Sequence, residues 1–241
     1  MMNESRTIVI TGASAGIGHC IATRQLQQGM SVLGIGRDFS NPPSGKKFMP
    51  VSMDLGDLAA LPEALKDLTR RYPGVRGVIC CAGAGQFGSL EEFSFNKIRR
   101  MIDLNLTSQV FVIRAFLPLI KRNGGGDVVI LGSEAALAGG ARGAVYSASK
   151  FALRGLAQSL RQECASSSVR VTLVNPGMVR TGFFEQLDFE PGPDPANFIE
   201  PDDVAVAVEA VLAARQGTVF DEINLSPLKK VMKKKKPPVS Q

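Results

Sequence analysis

The sequence predicts an α/β fold in which a doubly wound parallel sheet of about seven strands lies between two layers of helices. Three observations lead to this prediction. Short runs rich in Val and Ile alternate with helical patterns along the chain. Most of these runs are apolar throughout, as expected for strands that are buried on both faces. The 241 residues, 44% of them hydrophobic, are enough to bury a full-sized core in one domain.

The elements follow one another in a regular order. Strands are predicted at residues 7–11, 31–35, 48–53, 75–81, 127–131, 169–174 and 218–225, and helices at residues 17–28, 57–71, 95–122, 145–165 and 202–215. Residues 182–200 break this pattern because they are too proline-rich for a regular element, and they are expected to form a substrate lid. We therefore expect one domain over residues 1–228, followed by a tail rich in Lys and Pro over residues 229–241.

The net charge of +6 comes from this tail. Six lysines lie at Lys229, Lys230 and positions 233–236, and without them 22 basic residues stand against 22 acidic ones. A solvated, frayed terminus is therefore expected, with contact to an anionic surface as the alternative. Nucleic-acid binding is disfavoured because the body of the protein carries no excess of positive charge.

Cysteine and histidine usage disfavours several other classes of protein. The four cysteines show no CxxC spacing, and His19, the only histidine, falls just inside a predicted helix, so neither a disulfide framework nor a metal site is expected. No apolar run approaches the roughly 20 residues that span a bilayer, and no signal sequence precedes the first strand. We expect a cytoplasmic protein.

A glycine-rich turn follows the first predicted strand, in the run from Thr11 to Gly18. Gly12, Gly16 and Gly18 lack the Cβ atoms that would block a tight turn into the helix. Their absence lets backbone N–H groups approach a pyrophosphate at the positive end of that helix. Glycine-rich turns also form without a ligand, so the GxxxGxG spacing alone leaves both interpretations open.

The second predicted strand leads into Arg37, where the adenosine ribose of a dinucleotide is expected to lie. An NAD site would place Asp or Glu near this point, and no carboxylate precedes Arg37. A guanidinium can pair with a 2′-phosphate, which favours NADP over NAD. Asp38 follows directly and could instead neutralise the arginine.

Tyr146 and Lys150 begin a predicted helix at a spacing of four residues, which places them on one face. A free tyrosine has a pKa of about 10, and a neighbouring ammonium is expected to lower that pKa toward neutral pH. Ser133 lies at the C-terminal end of the fifth strand, where ligands bind in open parallel sheets. A Tyr–Lys pair is also common on packed helices, and a serine can simply cap a turn. The occurrence of all three after the glycine turn favours an active site.

With these residues, the sequence resembles the short-chain dehydrogenase/reductase family, of the NADP(H)-preferring type, over residues 7 to about 226. The resemblance implies a Rossmann fold. It is carried by the turn with Gly12, Ser14, Gly16, Ile17 and Gly18, by Asp54 and Leu55, by Cys81, Ala82 and Gly83, by Asn105, by Ser133, Tyr146 and Lys150, and by Pro176, Gly177, Val179 and Thr181.

The resemblance also implies a role for each of these groups. Tyr146 would protonate a carbonyl oxygen that Ser133 orients, while hydride arrives from the nicotinamide. Lys150 would hold the nicotinamide ribose and lower the pKa of Tyr146, and Asn105 would support a water-linked proton path. Asp54 and Leu55 would lie on the adenine side of the cofactor, and residues 176–181 at its nicotinamide end.

Two positions depart from the family pattern. Cys81 replaces the first residue of the family's Asn-Ala-Gly, so a side-chain amide contact is lost and the strand beside the cofactor is expected to loosen modestly. Ala15 stands where many NADP-using members carry a basic residue. NADP preference would therefore depend on Arg37, helped by the Ser14 hydroxyl.

We therefore predict an oxidoreductase that transfers a hydride between NADP(H) and a carbonyl or alcohol carbon, with ketone or aldehyde reduction favoured. Phe183, Phe184, Leu187 and Phe189 make the lid apolar and suggest a small, partly apolar substrate. Family members commonly assemble through the two long helices, so a homotetramer or dimer is expected. The alternative is a non-catalytic NADP(H)-binding regulator or scaffold on the same fold.

Overall fold

The computed structural model describes residues 7–235. Its strands are β1 (Thr7–Thr11), β2 (Ser31–Gly36), β3 (Phe48–Ser52), β4 (Val75–Cys80), β5 (Gly126–Leu131), β6 (Val169–Pro176), β7 (Phe189–Pro191), β8 (Glu222–Leu225) and β9 (Met232–Lys234). Its α-helices are α1 (Gly16–Gln27), α2 (Leu61–Arg71), α3 (Phe95–Ile102), α4 (Ser108–Arg122), α5 (Ala144–Cys164) and α6 (Pro201–Ala213).

Seven of the strands form one parallel sheet, in the order β3-β2-β1-β4-β5-β6-β8. The chain runs outward from β1 to β3 and then returns to place β4 on the other side of β1. Ligands of doubly wound sheets bind at such a reversal of strand order, outside the carboxyl ends of the strands. The predicted seven-stranded, doubly wound sheet is confirmed.

Each face of the sheet is covered by its own apolar layer. On one face Leu65, Phe116 and Leu153, from α2, α4 and α5, pack against the strands. On the other face Ile21 of α1 and Val208 of α6 pack with the opposite side chains of the same strands. Strands buried on both faces need apolar residues at every position, which explains the continuous runs in the sequence.

The long helical pattern at residues 95–122 is interrupted once. Between α3 and α4, residues Asp103–Thr107 form a π-helical turn, and Asn105 lies within it. The whole stretch is long and apolar enough to pass a length and composition test for a membrane span. That test is also passed by core helices of soluble proteins, and here Phe116 and Ile120 of this stretch are buried in the sheet's apolar layer.

The lid and the tail differ from the sequence prediction. Residues 182–200 contain the short strand β7, and the tail contains β9, which pairs with it in an antiparallel ribbon. The expectation of a lid without regular structure is therefore wrong at residues 189–191, and the expectation of a frayed terminus is wrong at residues 232–234, although the tail is exposed to solvent. Sequence patterning misses both strands because each has only three residues and one of them ends in proline. Residues 1–6 of the predicted domain and 236–241 of the tail lie outside the described range.

Candidate active site

The turn after β1 has a backbone conformation that favours glycine. Gly12 and Gly16 have φ values of +67° and +54°, in the left-handed region that favours glycine. A Cβ on Gly18 would overlap the carbonyl oxygen of Gly12. No side chain caps the first turn of α1, so its backbone N–H groups are available to an anion. This turn fits a dinucleotide pyrophosphate.

Two buried polar side chains, those of Thr11 and Gln109, attach the segment after β4 to this turn. They lie 98 residues apart in the sequence. The Thr11 hydroxyl accepts hydrogen bonds from the backbone N–H groups of Cys81 and Ala82, both at 3.0 Å. It also donates to Gln109 Oε1 at 3.3 Å, and Gln109 Nε2 donates to the Ala82 carbonyl at 3.1 Å. Thr11 and Gln109 thus fix the segment in which Cys81 replaces asparagine. Neither was singled out from the sequence, although a polar residue in each apolar run was a signal.

Asn105 fixes the next part of the same segment. Its Oδ1 accepts from the Ala84 N–H at 2.8 Å, and its Nδ2 donates to the Ala84 carbonyl at 2.9 Å and to Ser149 Oγ at 3.2 Å. The side chain is fully buried. Its polar atoms are therefore engaged by the protein, which makes Asn105 a positioning residue. The water-linked proton path stays a prediction.

Ser133, Tyr146 and Lys150 meet at the carboxyl edge of the sheet. Ser133 follows the end of β5, and its hydroxyl accepts a hydrogen bond from the Ala135 N–H at 3.2 Å and acts on the pKa of Tyr146. Lys150 Nζ lies 5.8 Å from the centre of the Tyr146 ring and donates to the Leu131 carbonyl at 3.0 Å. A Cβ added to Gly83 would lie 3.7 Å from Lys150 Nζ. Since Ala82 packs on Gly12, the three side chains lie next to the glycine turn.

Burial controls the protonation of this group. It raises the pKa of Tyr146, the carboxylate of Glu134 raises it further, and the hydrogen bond with Ser133 opposes the change. Burial also lowers the pKa of Lys150 to about 8. The expectation that Lys150 brings the pKa of Tyr146 down is therefore wrong for this closed arrangement. Both groups are withdrawn from water, and the ammonium is directed at the Leu131 carbonyl.

Aromatic side chains of the lid enclose Tyr146. Its ring centre lies 5.1 Å from that of Phe87 and 6.1 Å from that of Phe183. Phe189 of β7 packs at 5.1 Å on Phe87, and Phe184 packs at 5.2 Å on Phe183. A cavity of about 350 Å³ under the lid is lined by Thr181, Phe184 and Phe198 among others, but by neither Ser133 nor Tyr146. The aromatic rings occupy the space beside the phenol.

The end of β2 presents an unpaired arginine. Asp38 accepts hydrogen bonds from the N–H and hydroxyl of Ser40, at 3.0 and 3.1 Å, and within residues 7–235 it forms no ion pair with Arg37. The Ser14 hydroxyl lies beside the end of β2, 2.9 Å from where a Cβ on Gly36 would be. Neutralisation of Arg37 by Asp38 is not observed.

Asp54 and Leu55, the two residues expected on the adenine side of the cofactor, differ in burial. Asp54 is exposed and accepts from the Gly56 N–H at 2.9 Å, whereas Leu55 is buried. At this edge the two residues follow β3, the strand next to β2. They therefore lie on the side of the sheet that also carries Arg37.

The segment after β6 closes the other side of the site. Asn175 Oδ1 accepts from the Ser133 N–H at 3.3 Å, and its Nδ2 donates to Asn224 at 3.0 Å. Thr181 lies against Gly16, because a Cβ there would be 3.3 Å from the threonine methyl. Pro176, Gly177 and Val179 lie between them, and their contact with the nicotinamide end of a cofactor stays a prediction. Asn175 was not predicted, although it is a polar residue at the end of a buried strand.

Potential metal ligands do not cluster in the described part of the chain. Within residues 7–235 no three His, Cys, Asp or Glu side chains are grouped so as to hold a metal ion. Cys81 lies near Lys150, but burial raises the pKa of its thiol. The polar groups that face the site are hydroxyls, an ammonium and backbone amides.

Comparison with known proteins identifies relatives of this arrangement. A family model described as short chain dehydrogenase matches residues 6–191. An uncharacterized oxidoreductase of Staphylococcus epidermidis is 29% identical over 230 residues, which are 93% of this chain and 98% of that protein. Estradiol 17-beta-dehydrogenase 1 of Rattus norvegicus is 32% identical over 205 residues, 78% of this chain and 58% of that protein.

A solved structure agrees over nearly the whole chain. The alcohol dehydrogenase of the archaeon Thermococcus sibiricus, complexed with 5-hydroxy-NADP, superimposes with a TM-score of 0.82 at 27% identity. The superposition covers 95% of this chain and 99% of that one. The similarity therefore extends beyond the cofactor turn to the lid side of the molecule.

Proposed function

The chain belongs to the short-chain dehydrogenase family and is an oxidoreductase, and from that premise we propose that it transfers a hydride between NADP(H) and a carbonyl or alcohol carbon. The observation that carries the proposal is the meeting of Ser133, Tyr146 and Lys150 beside the glycine turn. The favoured direction is reduction of a ketone or aldehyde. We treat residues 1–228 as one catalytic domain with its lid at 182–200.

The chain's own residues would perform the proton chemistry. The bound cofactor, when reduced, supplies a hydride from its nicotinamide. Tyr146 donates its phenolic proton to the carbonyl oxygen as negative charge develops there, and a raised pKa keeps the phenol protonated for this task. The Ser133 hydroxyl donates a hydrogen bond to the same oxygen. Lys150, whose Nζ lies 5.8 Å from the centre of the Tyr146 ring, would hold the nicotinamide ribose.

The remaining residues of the site would hold the cofactor. Gly12, Gly16, Ile17 and Gly18 form the cradle for the pyrophosphate. Asp54, Leu55, Cys81, Ala82, Gly83, Pro176, Gly177, Val179 and Thr181 line the rest of its path. Arg37, with Ser14 beside it, favours NADP because no carboxylate among residues 7–235 forms an ion pair with the guanidinium. The NADP derivative bound by the Thermococcus sibiricus relative supports this choice.

Removing the guanidinium should weaken NADPH binding selectively. We expect Arg37→Ala to raise the KM for NADPH by about 10- to 100-fold, the effect of losing one charge-assisted hydrogen bond. The KM for NADH should change less than about threefold. Both constants would come from initial rates of cofactor oxidation. Arg122→Ala, which removes an exposed arginine at the end of α4, is the control. An equal loss for both cofactors would show that Arg37 does not read the 2′-phosphate.

The substrate class follows from the lid. The rings of Phe87 and Phe183 contact the Tyr146 ring, and Phe189 packs behind Phe87. Apolar surroundings favour a small, partly apolar carbonyl compound. Cytoplasmic location is consistent with four free cysteines among residues 7–235. Assembly as a homotetramer or dimer is consistent with exposed aromatic side chains on two helices, Phe95 on the short helix α3 and Phe151 on the long helix α5.

The experiment that tests the proposal is a screen of NADPH oxidation against a varied panel of aldehydes and ketones, with NADH run alongside. We expect turnover with at least one apolar carbonyl compound and higher kcat/KM with NADPH than with NADH. Tight NADPH binding without turnover anywhere on the panel would contradict the proposal. It would favour a regulator or scaffold that binds the cofactor without chemistry.

A further inference from the structure

We infer that residues 229–235, which we name the C-terminal strap, hold the lid closed over Tyr146 and act on the active site through the contact between Lys230 and Glu134. The strap lies beyond residue 191, where the match to the family model ends. The lid is defined as residues 182–200. The inference deepens the proposed function, because the Tyr146 site is the one it would regulate.

Backbone hydrogen bonds join the strap to the lid along its length. β9 pairs with β7 in antiparallel register, from Phe189 opposite Lys234 to Pro191 opposite Met232. The pairing is extended by Gly192 N–H to the Val231 carbonyl at 2.9 Å. A two-stranded ribbon is marginal in water by itself, so each segment needs further contacts to stay in place.

Hydrogen bonds fix both ends of the ribbon to the lid. At one end Lys229 N–H donates to the Ala196 carbonyl at 2.8 Å. At the other, Lys235 N–H donates to the Asp188 carbonyl at 2.8 Å, and Lys235 Nζ donates to the Phe184 carbonyl. The strap therefore crosses from one end of the lid to the other.

One side chain connects the strap to the catalytic segment. Lys230 Nζ lies 2.7 Å from Glu134 Oε2, and Glu134 follows Ser133 directly. A Cβ on Gly177 would lie 3.4 Å from the same carboxylate oxygen, so Glu134 is also next to the segment after β6. The Lys230 side chain is 67% exposed, and an ion pair this accessible adds little to global stability. Its effect should be local, on the position and charge of Glu134.

The lid transmits the strap's position to the phenol. Phe189 lies in β7, packs on Phe87, and Phe87 packs on Tyr146. Phe183 covers the phenol from another side, and its ring fills the space above Gly85. Freeing β7 from the strap would loosen the enclosure that withdraws Tyr146 from water. Substrate must enter through this enclosure, so the strap should affect KM more than cofactor binding.

Charge provides a second route from Lys230 to Tyr146. Tyr146 is faced by the Ser133 hydroxyl and the Lys150 ammonium, and by the carboxylate of Glu134, which Lys230 partners. After burial, that carboxylate is a further cause of the raised pKa of Tyr146. Removing the Lys230 ammonium leaves the carboxylate unopposed and should raise the pKa of Tyr146 further. Mechanical release of the lid alone would instead lower that pKa, because Tyr146 would become less buried.

The test uses three main variants of the chain, and a single variant and an arginine variant accompany them. The first ends at Leu228 and lacks the strap. The second, Lys230→Met with Lys235→Met, is full-length and loses both side-chain anchors. The third, Lys229→Met with Lys234→Met, removes the same number of charges from side chains that form no hydrogen bond or ion pair within residues 7–235. Amide hydrogen exchange of the lid, substrate KM and the Kd for NADPH are measured for each.

In the truncated chain, exchange at the Gly192 amide should accelerate by tenfold or more and substrate KM should rise several-fold. The Kd for NADPH should stay within twofold. The Lys230/Lys235 variant should show a smaller effect of the same sign, and arginine at both positions should restore the original values. The alkaline limb of kcat/KM for reduction should move up by about 0.5 pH unit in Lys230→Met alone. The Lys229/Lys234 variant should match the original chain.

Two outcomes separate this inference from the proposed function. Exchange and KM that stay unchanged in both the truncated chain and the Lys230/Lys235 variant overturn the strap, while turnover by the original chain keeps the oxidoreductase proposal. Absence of turnover with accelerated exchange overturns the oxidoreductase proposal and leaves the strap's hold on the lid established. The full-length variant keeps the test decisive should the truncated chain fail to fold.

Discussion

Tyr146→Phe is expected to lower kcat by about 10²- to 10⁴-fold, because the substitution removes the proton that the phenol donates to the substrate oxygen. The ring itself stays in place between Phe87 and Phe183, so the aromatic enclosure is preserved. Cofactor affinity, measured by NADPH fluorescence, should change less than about threefold. The loss should therefore appear in turnover alone.

The chain provides a matched control for this variant. Tyr72 is its other tyrosine and lies at the C-terminal end of α2, away from the carboxyl edge of the sheet. Tyr72→Phe makes the same chemical change and should leave kcat unaltered. Full turnover by Tyr146→Phe would remove the proposed proton donor and with it the mechanism derived from this site.

Lys150→Met is expected to abolish most activity and at the same time to stabilise the cofactor-free protein. The ammonium is buried, and its pKa is lowered to about 8 from an ordinary value of 10.5. Below pH 8 the lysine is protonated in both the folded and the unfolded chain, so folding must bury the charge at a cost of about 3 kcal/mol. Methionine fills similar space without charge but loses the hydrogen bond to Leu131. A net gain of about 1–2 kcal/mol is expected.

The pH dependence of this gain has a definite sign. Between about pH 8 and 10.5 the folded chain releases the proton before the unfolded chain does, so the stability of the original protein rises with pH. The gain should therefore be full at pH 7, fall to zero between about pH 9 and 10, and become a small loss above pH 10.5, where only the missing hydrogen bond to Leu131 remains. Urea unfolding across this range measures it, with Lys66→Met, on the exposed face of α2, as the control. A variant less stable than the original protein at pH 7 would contradict the burial cost assigned to Lys150.

The site shows what local pattern can and cannot predict. Tyr146 and Lys150 were found because helix geometry places residues four apart on one face, and the glycine turn because only glycine fits its backbone. The hydrogen bond between Thr11 and Gln109 joins residues 98 apart, and no periodicity encodes such a partner. The raised pKa of Tyr146 was not predicted either, because it also depends on residues that are distant in the sequence. It depends on burial by rings from a lid whose closure the sequence does not reveal.

The fold likewise has one part that the sequence predicts and one part that it does not. The inner strands of the main sheet are largely apolar runs, so their burial on both faces is visible in the sequence, whereas the edge strands β3 and β8 are only partly buried. The ribbon of β7 and β9 is different, since proline and lysine fill its strands and neither is typical of a sheet. Its stability comes from partners at a distance in the chain, among them Ala196 and Asp188, and not from the propensity of either segment.

The position of β9 in the chain has a consequence for biosynthesis. A growing polypeptide folds from its N-terminus, and all seven strands of the main sheet, ending with β8 at Leu225, leave the ribosome before residues 232–234. Because β9 is synthesised after every strand of the main sheet, the pairing of β7 with β9 cannot precede synthesis of the sheet. In the described part of the chain, this pairing is therefore expected to be a late folding step.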